Sequence, residues 1–338
     1  IHIQQVLSIH VKIFNSYAVI LINEGEQNMQ WDKIELASRM QNYIREHCMD
    51  EDFSMDALYA STGYSKRPAC RIFKELLYKT PEEYVRAVQM TASAESLIKT
   101  DANILDIALD TDYESHEGYT RAFEKLFGTT PSCYRNGQTP IPLFIQYPIK
   151  HYYSYLRQKE KKQMENENNL NNETKASPSL CTVTVISKPA RKLLVMYAKK
   201  AHDYFSFCEE VGCEWEGLFN SIPSRLETAA LITLPPSLIP EGSTETAAGV
   251  ELDADAVVKI PEGCSLIELP PCDYLYFQSP PYENEEDYCT AIELVFQASE
   301  TYQPERFGYR YAPKLAPAFN FGADTRTGGC ISLPVQKL

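Results

Sequence analysis

Basic and polar side chains recur at matching positions in two segments that lie fifty residues apart. They follow Ser65 in the first segment and Ser115 in the second. A shift of fifty residues places six residues of one segment on identical residues of the other: Ser65 on Ser115, Arg71 on Arg121, Phe73 on Phe123, Thr80 on Thr130, Pro81 on Pro131 and Tyr84 on Tyr134. Cationic side chains bind phosphates, and polar side chains on a helix can contact base edges. The chemistry that these segments offer is therefore recognition of nucleic acid.

The residues around the first segment predict a helix, a tight turn and a second helix. Ser54 starts a short helix, Gly63 supplies the turn, and Ser65 is placed to cap the next helix. That helix runs toward Leu77, with Pro68 in its first turn, where a missing N–H is tolerated. Its polar face carries Lys66, Arg67, Cys70, Arg71 and Lys74. Its apolar face carries Ala69, Ile72, Phe73 and Leu76.

The second segment repeats this arrangement with a different turn. The apolar side of its first helix consists of Ile104, Ile107 and Ala108, and its turn contains Asp112 and Tyr113. Ser115 is expected to cap a helix through Phe127 whose inward residues are Tyr119, Phe123 and Leu126. The polar side of that helix carries His116, Glu117, Thr120 and Arg121. Two helix pairs with no ligand are the alternative interpretation, because many helical hairpins never contact nucleic acid.

The charge of the chain argues against strong electrostatic attraction to nucleic acid. The 338 residues have a formal net charge of -14, and residues 29–139 carry 13 basic and 18 acidic side chains. Domains that bind nucleic acid are usually basic, so any contact must depend on local patches. The first polar helix is basic, whereas the second mixes Arg121 and Lys125 with Glu114, Glu117 and Glu124. We therefore predict that the first unit supplies most of the electrostatic affinity.

The motif residues resemble the DNA-binding domain of AraC/XylS family transcription regulators. The resemblance rests on Gly63-Tyr64-Ser65, Arg71, Phe73-Lys74, Thr80-Pro81 and Tyr84, and on Asp112 to Ser115, Tyr119, Arg121, Phe123, Phe127-Gly128, Thr130-Pro131 and Tyr134-Arg135. It implies an all-α domain with tandem helix-turn-helix units at 29–139, joined by a long helix at 81–99. Both recognition helices would enter successive major grooves of double-stranded DNA.

The same resemblance assigns roles to individual side chains. Bases would be approached by Lys66, Arg67 and Cys70 in the first unit and by His116, Glu117 and Thr120 in the second. Arg71 and Arg121 would contact phosphates or pack between helices. The chain departs from the family pattern at Tyr59 in place of Ala, Asp112 in place of Gly, and Gln89 in place of Arg. Aspartate tolerates the left-handed backbone conformation, so the turn at Asp112 is expected to persist.

The remaining residues divide into an uncertain N-terminal segment, a linker and a second domain. Residues 1–28 lack the repeat and are interpreted either as a translated leader or as an arm, ahead of a helical run from Met29 to Cys48. Polar residues, many of them Asn, dominate 158–175, which predicts a linker at 140–180. Residues 181–338 alternate apolar strand patterns with helical stretches in the order strand, strand, helix, strand, strand, twice over. That order predicts an α+β domain with internal duplication, and thus a multidomain protein.

The second domain resembles the GyrI-like effector-binding domain that follows the DNA reader in the Rob-like arrangement. The resemblance rests on 249–252, 260–264, Leu269-Pro270, Tyr274, Phe277 and Leu333-Pro334-Val335. It implies a small-molecule effector site, for which we select Trp215, Phe219, Glu251, Tyr276, Tyr309 and Asn320. Asn320 stands where relatives that bind cations carry Glu, which favours a polar or zwitterionic ligand. The alternative is that the aromatic side chains form core and that Glu251 is a surface strand residue.

These patterns are compatible with three classes of function. The favoured class is a transcription regulator whose effector changes its contact with DNA or with RNA polymerase. A small-molecule hydrolase using Glu251 with Tyr276, and a protein-binding module with an acidic surface, are the alternatives. The sequence has no Ser-His-Asp, Cys-His or metal-ligand spacing and indicates no cofactor. The longest apolar run, 17–22, is too short to span a membrane, so we expect a cytoplasmic protein without membrane attachment.

Overall fold

The computed structural model describes residues 24–137, 139–150, 153, 181–212, 214–284 and 287–338. These residues form two compact units, one within 20–166 and the other within 167–338. None of the helices among them is sufficiently long and apolar to cross a membrane. The predicted domain boundaries are close to this division and stay predictions. The predicted arm lies mostly outside the described residues, and 24–28 belong to the first helix.

The first unit consists of helices. Their bounds are α1 Glu24–His47, α2 Met55–Thr62, α3 Lys66–Leu77, α4 Pro81–Lys99, α5 Ile104–Leu109, α6 His116–Phe127 and α7 Pro131–Gly137. The predicted helix pairs and the long joining helix are confirmed. Both turns need a left-handed residue, which is Gly63 in the first pair and Asp112, at φ 61°, in the second. The expectation that aspartate supports this turn is therefore confirmed.

The joining helix α4 connects two separate hydrophobic cores. Tyr84 and Val85 from its first half belong to the core of the first helix pair, together with residues of α1. Met90 and Leu97 from its second half belong to the core of the second pair. A single helix thus holds both pairs, and its start is fixed by a capping box between Thr80 and Glu83.

Part of the predicted linker packs on the helical unit. Ile141 and Ile149 are buried in its two cores. The backbone N–H of Phe144 donates to Thr91 Oγ1 at 2.8 Å, and that of Ile149 donates to Gln41 Oε1 at 2.9 Å. The amide of Gln41 also donates to the Tyr84 hydroxyl at 2.9 Å, so a buried glutamine ties α1, α4 and the chain that leaves the unit. Residues 154–180 of the predicted linker lie outside the described residues.

The second unit contains an antiparallel sheet of nine strands among its described residues. The strands are β1 Thr182–Lys188, β2 Arg191–Tyr197, β3 Ala230–Thr233, β4 Thr246–Asp253, β5 Cys264–Leu269, β6 Cys272–Gln278, β7 Tyr309–Tyr311, β8 Ala318–Asp324 and β9 Gly328–Lys337. The helices are α8 Tyr204–Val211, α9 Glu214–Asn220 and α10 Tyr288–Thr301, with short 3-10 turns at Pro236–Leu238 and Pro304–Phe307. The predicted strand-strand-helix-strand-strand order occurs twice, with β7 as an additional strand. The helical stretch predicted for the first half is divided into α8 and α9 at Gly212, whose φ of 87° breaks the helical backbone.

The order of the strands interlocks the two halves of this unit. Along the sheet it is β1, β6, β9, β8, β3, β4, β2 and β5, with β7 pairing β9. The first strand of each half therefore pairs with the second strand of the other half. One face of the sheet packs against α8 and α9 and, further along, against α10. The opposite face has its own cluster, which includes Leu193, Tyr274 and Phe319.

Candidate nucleic-acid interface and candidate ligand site

The recognition helix of the first pair, α3, presents the predicted basic face. Lys66, Arg67, Arg71 and Lys74 are exposed, whereas Ala69, Ile72, Phe73 and Leu76 are buried. Ser65 occupies the N-cap position, but its side chain makes no capping hydrogen bond. The exposure of Arg71 leaves it available to phosphates and does not support the alternative of packing between helices.

Two of the predicted base-contacting residues of α3 have partners inside the unit. Cys70 is half-buried against the first core. The Lys66 ammonium lies 5.1 Å from the centre of the Tyr59 ring and 3.9 Å from Glu82 Oε1. The Tyr59 hydroxyl donates to the same Glu82 oxygen at 3.1 Å. Burial and this hydrogen bond both raise the pKa of Tyr59, so the phenol stays a donor at neutral pH. The departure at Tyr59 thus gives Lys66 a ring and a carboxylate to contact.

The recognition helix of the second pair, α6, is less basic and more tightly capped. His116, Glu117 and Arg121 are exposed, and the Ser115 hydroxyl accepts from the backbone N–H of Gly118 at 3.2 Å. Thr120 is half-buried, and its buried hydroxyl has no hydrogen-bond partner among the described residues. The hydroxyl of Thr120 is therefore not presented at the exposed surface of α6.

One inward assignment on α6 is wrong. Leu126 was expected in the core, but it is 46% exposed, and Phe127 is buried in its place. Phe127 packs against Phe123 with ring centres 4.7 Å apart, which fills the position at the end of the helix. Leu76, the counterpart of Leu126 in the first unit, is buried by the core that α1 completes.

Two side chains of the motif region connect helix ends to the joining helix. Gln89, where the family pattern has Arg, donates through Nε2 to the carbonyl of Cys48 at 3.0 Å, just beyond the end of α1. Arg135 donates through Nε to the carbonyl of Leu97 at 2.9 Å and through Nη2 to that of Ala102 at 2.9 Å. These contacts fix the orientation of α4 relative to both helix pairs.

The predicted ligand residues of the second unit lie on both faces of the sheet. Trp215 and Phe219 of α9 are buried against Val250 and Leu252 of β4. Because side chains alternate along a strand, Glu251 points to the opposite face. It is 2% exposed, so the interpretation as a surface residue is wrong.

The other predicted ligand residues divide in the same way. Tyr276 belongs to the cluster on the face of Glu251, whereas Tyr309 packs in the cluster under α10. Asn320 is half-buried and lies between Phe319 and Phe321 on β8, so it points away from the face of these two rings. Its side-chain oxygen accepts from the backbone N–H of Gly322 at 2.9 Å. The structure thus brings Glu251 and Tyr276 together and separates them from the other four.

Glu251 lies in a buried ionic cluster that the sequence interpretation missed. Its two carboxylate oxygens accept from Lys188 and from Arg191. Arg191 also donates to the Tyr274 hydroxyl at 2.9 Å and to the carbonyl of Pro270 at 3.2 Å. Burial lowers the pKa of Arg191, but the charge of Glu251, the nearby Tyr274 and the hydrogen bonds to both residues together outweigh burial and leave that pKa raised.

Lys188 connects this pair to a second carboxylate and to aromatic rings. Its ammonium donates to Glu227 Oε2 at 2.8 Å. The Tyr276 hydroxyl donates to both oxygens of Glu227, at 2.6 and 2.7 Å. Burial and this bond raise the pKa of Tyr276. A surface cavity of about 370 Å³ borders the cluster and is lined by Pro223, Arg225, Leu226, Glu227 and Thr228.

Comparisons with known proteins identify the helical unit. A family model described as a helix-turn-helix domain matches residues 58–137. The probable transcription factor PqrA of Proteus vulgaris is 41% identical over 92 residues, which are 27% of this chain and 75% of PqrA. The regulatory protein SoxS of Salmonella typhimurium is 35% identical over 94 residues, which are 28% of this chain and 87% of SoxS.

The chain belongs to the AraC/XylS family of transcription regulators.

The AraC/XylS match concerns a limited part of the chain. The transcriptional regulator Rob of Salmonella typhimurium is 36% identical over 102 residues, which are 30% of this chain and 35% of Rob. The chain thus spans about a third of the length of Rob, one of the first relatives that it matches. Residues 181–338 lie outside the match to the helix-turn-helix family model.

A sequence signal for the missed cluster exists in this AraC/XylS chain. Glu251 is the acidic residue inside β4, whose other residues up to Leu252 are uncharged and buried. Lys188 and Arg191 likewise bracket the short connection between two apolar strands. A charge in a buried strand requires a partner of opposite sign, so these residues could have been paired in advance.

Proposed function

We propose that this AraC/XylS family member binds double-stranded DNA at specific sequences and regulates transcription. The observation that carries the proposal is the row of exposed cations on α3, formed by Lys66, Arg67, Arg71 and Lys74, on a helix whose other side is anchored in the core. Such a helix can enter a major groove while its cations contact phosphates. The regulatory roles named for PqrA, SoxS and Rob support the same function.

Rigid attachment of both helix pairs to α4 supports the use of two successive major grooves. Because α4 contributes to both cores, the pairs are held at one spacing and need little ordering on binding. Successive grooves on one side of DNA are about 34 Å apart. The expected operator therefore has two elements separated by about one turn, with the stronger electrostatic contribution from α3.

Selection from a random pool of DNA duplexes by the full chain tests this function. We expect enrichment of a site with two elements spaced by about 10 base pairs, and retarded migration of that duplex in a gel shift. Arg67→Ala should reduce the retardation. Lys259→Ala, which removes an exposed cation from the other unit, is the matched control. Equal binding to the enriched duplex and to random duplex would contradict sequence-specific recognition.

We also propose that residues 181–338 sense a small molecule on the face of the sheet that carries the helices. Trp215 is buried, and its indole N–H has no acceptor among the described residues. Leu231, which packs against the Trp215 cluster, is the register partner of Asn320. A buried donor without an acceptor is costly, so a polar or zwitterionic ligand that accepts from the indole would stabilise the site. Its binding would change the contact of the chain with DNA or with RNA polymerase.

Fluorescence of Trp215 tests the sensor site. In a Trp31→Phe background, Trp215 is the remaining tryptophan of the chain. The probes are L-phenylalanine, phenethylammonium and 3-phenylpropanoate, which share a ring and differ in charge. We expect a saturable change with the zwitterion that weakens in Asn320→Leu. A saturable change with phenethylammonium alone would contradict the proposed ligand class.

A further inference from the structure

The ammonium group of Lys188 occupies an aromatic cage on the face of the sheet opposite the helices. Lys188 is the last residue of β1 and is 9% exposed. Its Nζ lies 5.3 to 5.9 Å from the centres of four rings. These rings belong to Tyr274, Tyr276, Phe319 and Phe321. The faces of aromatic rings are negative and attract cations, so four of them around one ammonium form a cation site.

Two carboxylates complete the cage. Glu227 and Glu251 both accept hydrogen bonds from the Lys188 ammonium. Arg191 neutralises Glu251 from the other side, so the cluster has two negative and two positive side chains. A free cation that entered beside Lys188 would give this buried cluster an excess positive charge. Such an excess is strongly unfavourable at low dielectric.

The cage has an opening to solvent at Glu227. The side chain of Glu227 is 31% exposed and lines the cavity of about 370 Å³, whereas that of Glu251 is 1% exposed. A molecule in the cavity would therefore reach Glu227 first and the Lys188 ammonium behind it. The position in the cage that an ammonium ion would take is already filled by the chain.

We propose that this cluster is a binding site for organic ammonium ions that the chain occupies itself with Lys188. Lys188 is thus a specificity-determining residue. It excludes free alkylammonium and quaternary ammonium ions from the domain, and its removal creates a site that accepts them. The four rings and the two carboxylates determine which ligands the site would otherwise accept. This site is distinct from the sensor site proposed around Trp215.

Chemical rescue of the full chain tests the proposal. Lys188→Ala removes the atoms Cγ to Nζ, which n-propylammonium reproduces. We expect this variant to melt several degrees lower than the unsubstituted chain, because Glu227 and Glu251 lose their shared partner. n-Propylammonium chloride should then raise its melting temperature by more than sodium chloride does at equal ionic strength.

Two controls show whether the rescue is specific. Lys192→Ala removes a lysine on β2, the next strand along the chain, whose ammonium donates to the carbonyl of Ala256 at 2.9 Å. It should show no additional rise with n-propylammonium, and neither should the unsubstituted chain. An equal rise in all three proteins, or none in Lys188→Ala, would overturn the proposal. If Lys188→Ala does not fold alone, its yield on refolding with n-propylammonium or with sodium chloride replaces the melting temperature, with the same expectation.

A second measurement uses the unsubstituted chain. Titration with benzyltrimethylammonium, followed by calorimetry, should show no saturable binding up to millimolar concentration. Micromolar affinity would mean that Lys188 does not exclude quaternary ammonium ions, and the proposal would fail. Neither measurement includes DNA or the phenylalanine probes. Failure of the proposed regulatory function would therefore leave both results interpretable.

Discussion

The two helix-turn-helix pairs share their framework and differ at the surfaces that would meet DNA. Phe73 and Tyr84 pack edge to face in the first core with ring centres 5.3 Å apart, and Phe123 packs on Tyr134 at 6.0 Å in the second. On the exposed side, α3 presents basic residues, whereas α6 presents both charges. The two pairs therefore share the aromatic core residues that hold each recognition helix in place, and they differ in the exposed residues of α3 and α6.

The turns of the two pairs differ by one residue. The left-handed residues Gly63 and Asp112 are 49 positions apart, whereas the N-cap residues Ser65 and Ser115 are 50 apart. The additional residue of the second turn is absorbed before the recognition helix begins. Before the turn, Tyr59 therefore corresponds to Ala108, so the second pair has the alanine that the pattern expects at the position where the first pair has tyrosine.

The largest expected difference concerns the electrostatic contribution of each pair to DNA affinity. Arg67→Ala should weaken operator binding about tenfold at low salt and reduce the salt slope by about 1, because a cation on α3 is lost. Glu117→Ala should change base preference and leave the slope unaltered. Fluorescence anisotropy with the selected duplex over a range of KCl concentrations measures both quantities. Equal losses with equal slopes would mean that the two pairs contribute alike.

Substitution at the two turns should shift stability in opposite directions. Gly63→Ala should lower the free energy of unfolding by ~1 kcal/mol, because φ is +73° and a residue with a Cβ is strained there. No atom lies within 4 Å of the added Cβ, so no steric clash adds to this cost. Asp112→Gly should raise it by ~0.5 kcal/mol, since glycine relieves the left-handed strain but adds disorder to the unfolded chain. Urea denaturation followed by circular dichroism compares them. A loss of stability in Asp112→Gly would show that the aspartate side chain stabilises its turn.

The contact of Lys66 with Glu82 should moderate the cationic face of α3. Glu82→Gln is expected to raise affinity for random duplex about threefold and to steepen the salt dependence, because Lys66 becomes available to phosphates. The matched control is Glu95→Gln, which removes the partner of Lys99, at 2.6 Å in the second half of α4. Anisotropy with random duplex at several salt concentrations distinguishes them. Similar gains in both variants would indicate a general effect of removing negative charge.

The smallest effect is expected at the capping box of α4. The Thr80 backbone N–H donates to Glu83 and lowers the pKa of that carboxyl. Ionised Glu83 stabilises the fold above its unfolded pKa of about 4.3, and this contribution is lost as pH falls through the lower folded pKa. Glu83→Gln should therefore cost ~0.5 kcal/mol near neutral pH and nothing in strong acid.

The second pair offers the complementary test. Cys133 occupies the position equivalent to Glu83, and its backbone N–H donates to Thr130 Oγ1 at 3.2 Å. Cys133→Glu should add a capping box to α7 and gain a few tenths of a kcal/mol near neutral pH. Urea denaturation at several pH values measures both variants. A pH-independent loss in Glu83→Gln would show that the charge of the carboxylate is unimportant.

Local patterns were sufficient to predict much of the fold. The turn at Gly63, the joining helix and the recognition helices depend on capping residues and on apolar periodicity within about twenty residues. The alternation of apolar residues likewise predicted the repeated order of strands and helices in the second unit. These elements could be read from the sequence because their stabilising contacts are close along the chain.

Contacts between distant segments could not be read in the same way. The burial of Lys188 depends on β1 pairing with β6, and its carboxylate partners come from β4 and from the segment before β3. The exposure of Leu126 depends on which neighbouring helix covers the end of α6. The sequence identified Glu251 and Tyr276 by type, but only the register of the sheet shows that Lys188 joins them and that Asn320 faces elsewhere.

The exchange of first strands between the halves of the sheet has a consequence for how this domain is made. During synthesis β1 emerges before its partner β6, and β5 emerges after both β2 and β4, which pair with each other. Neither half can complete its hydrogen-bond ladder alone, so the domain closes only when its last strands are present. Cleavage in the connection at 254–263 would leave two fragments that stay associated, because β1 of the first fragment pairs with β6 of the second and β5 of the second pairs with β2 of the first.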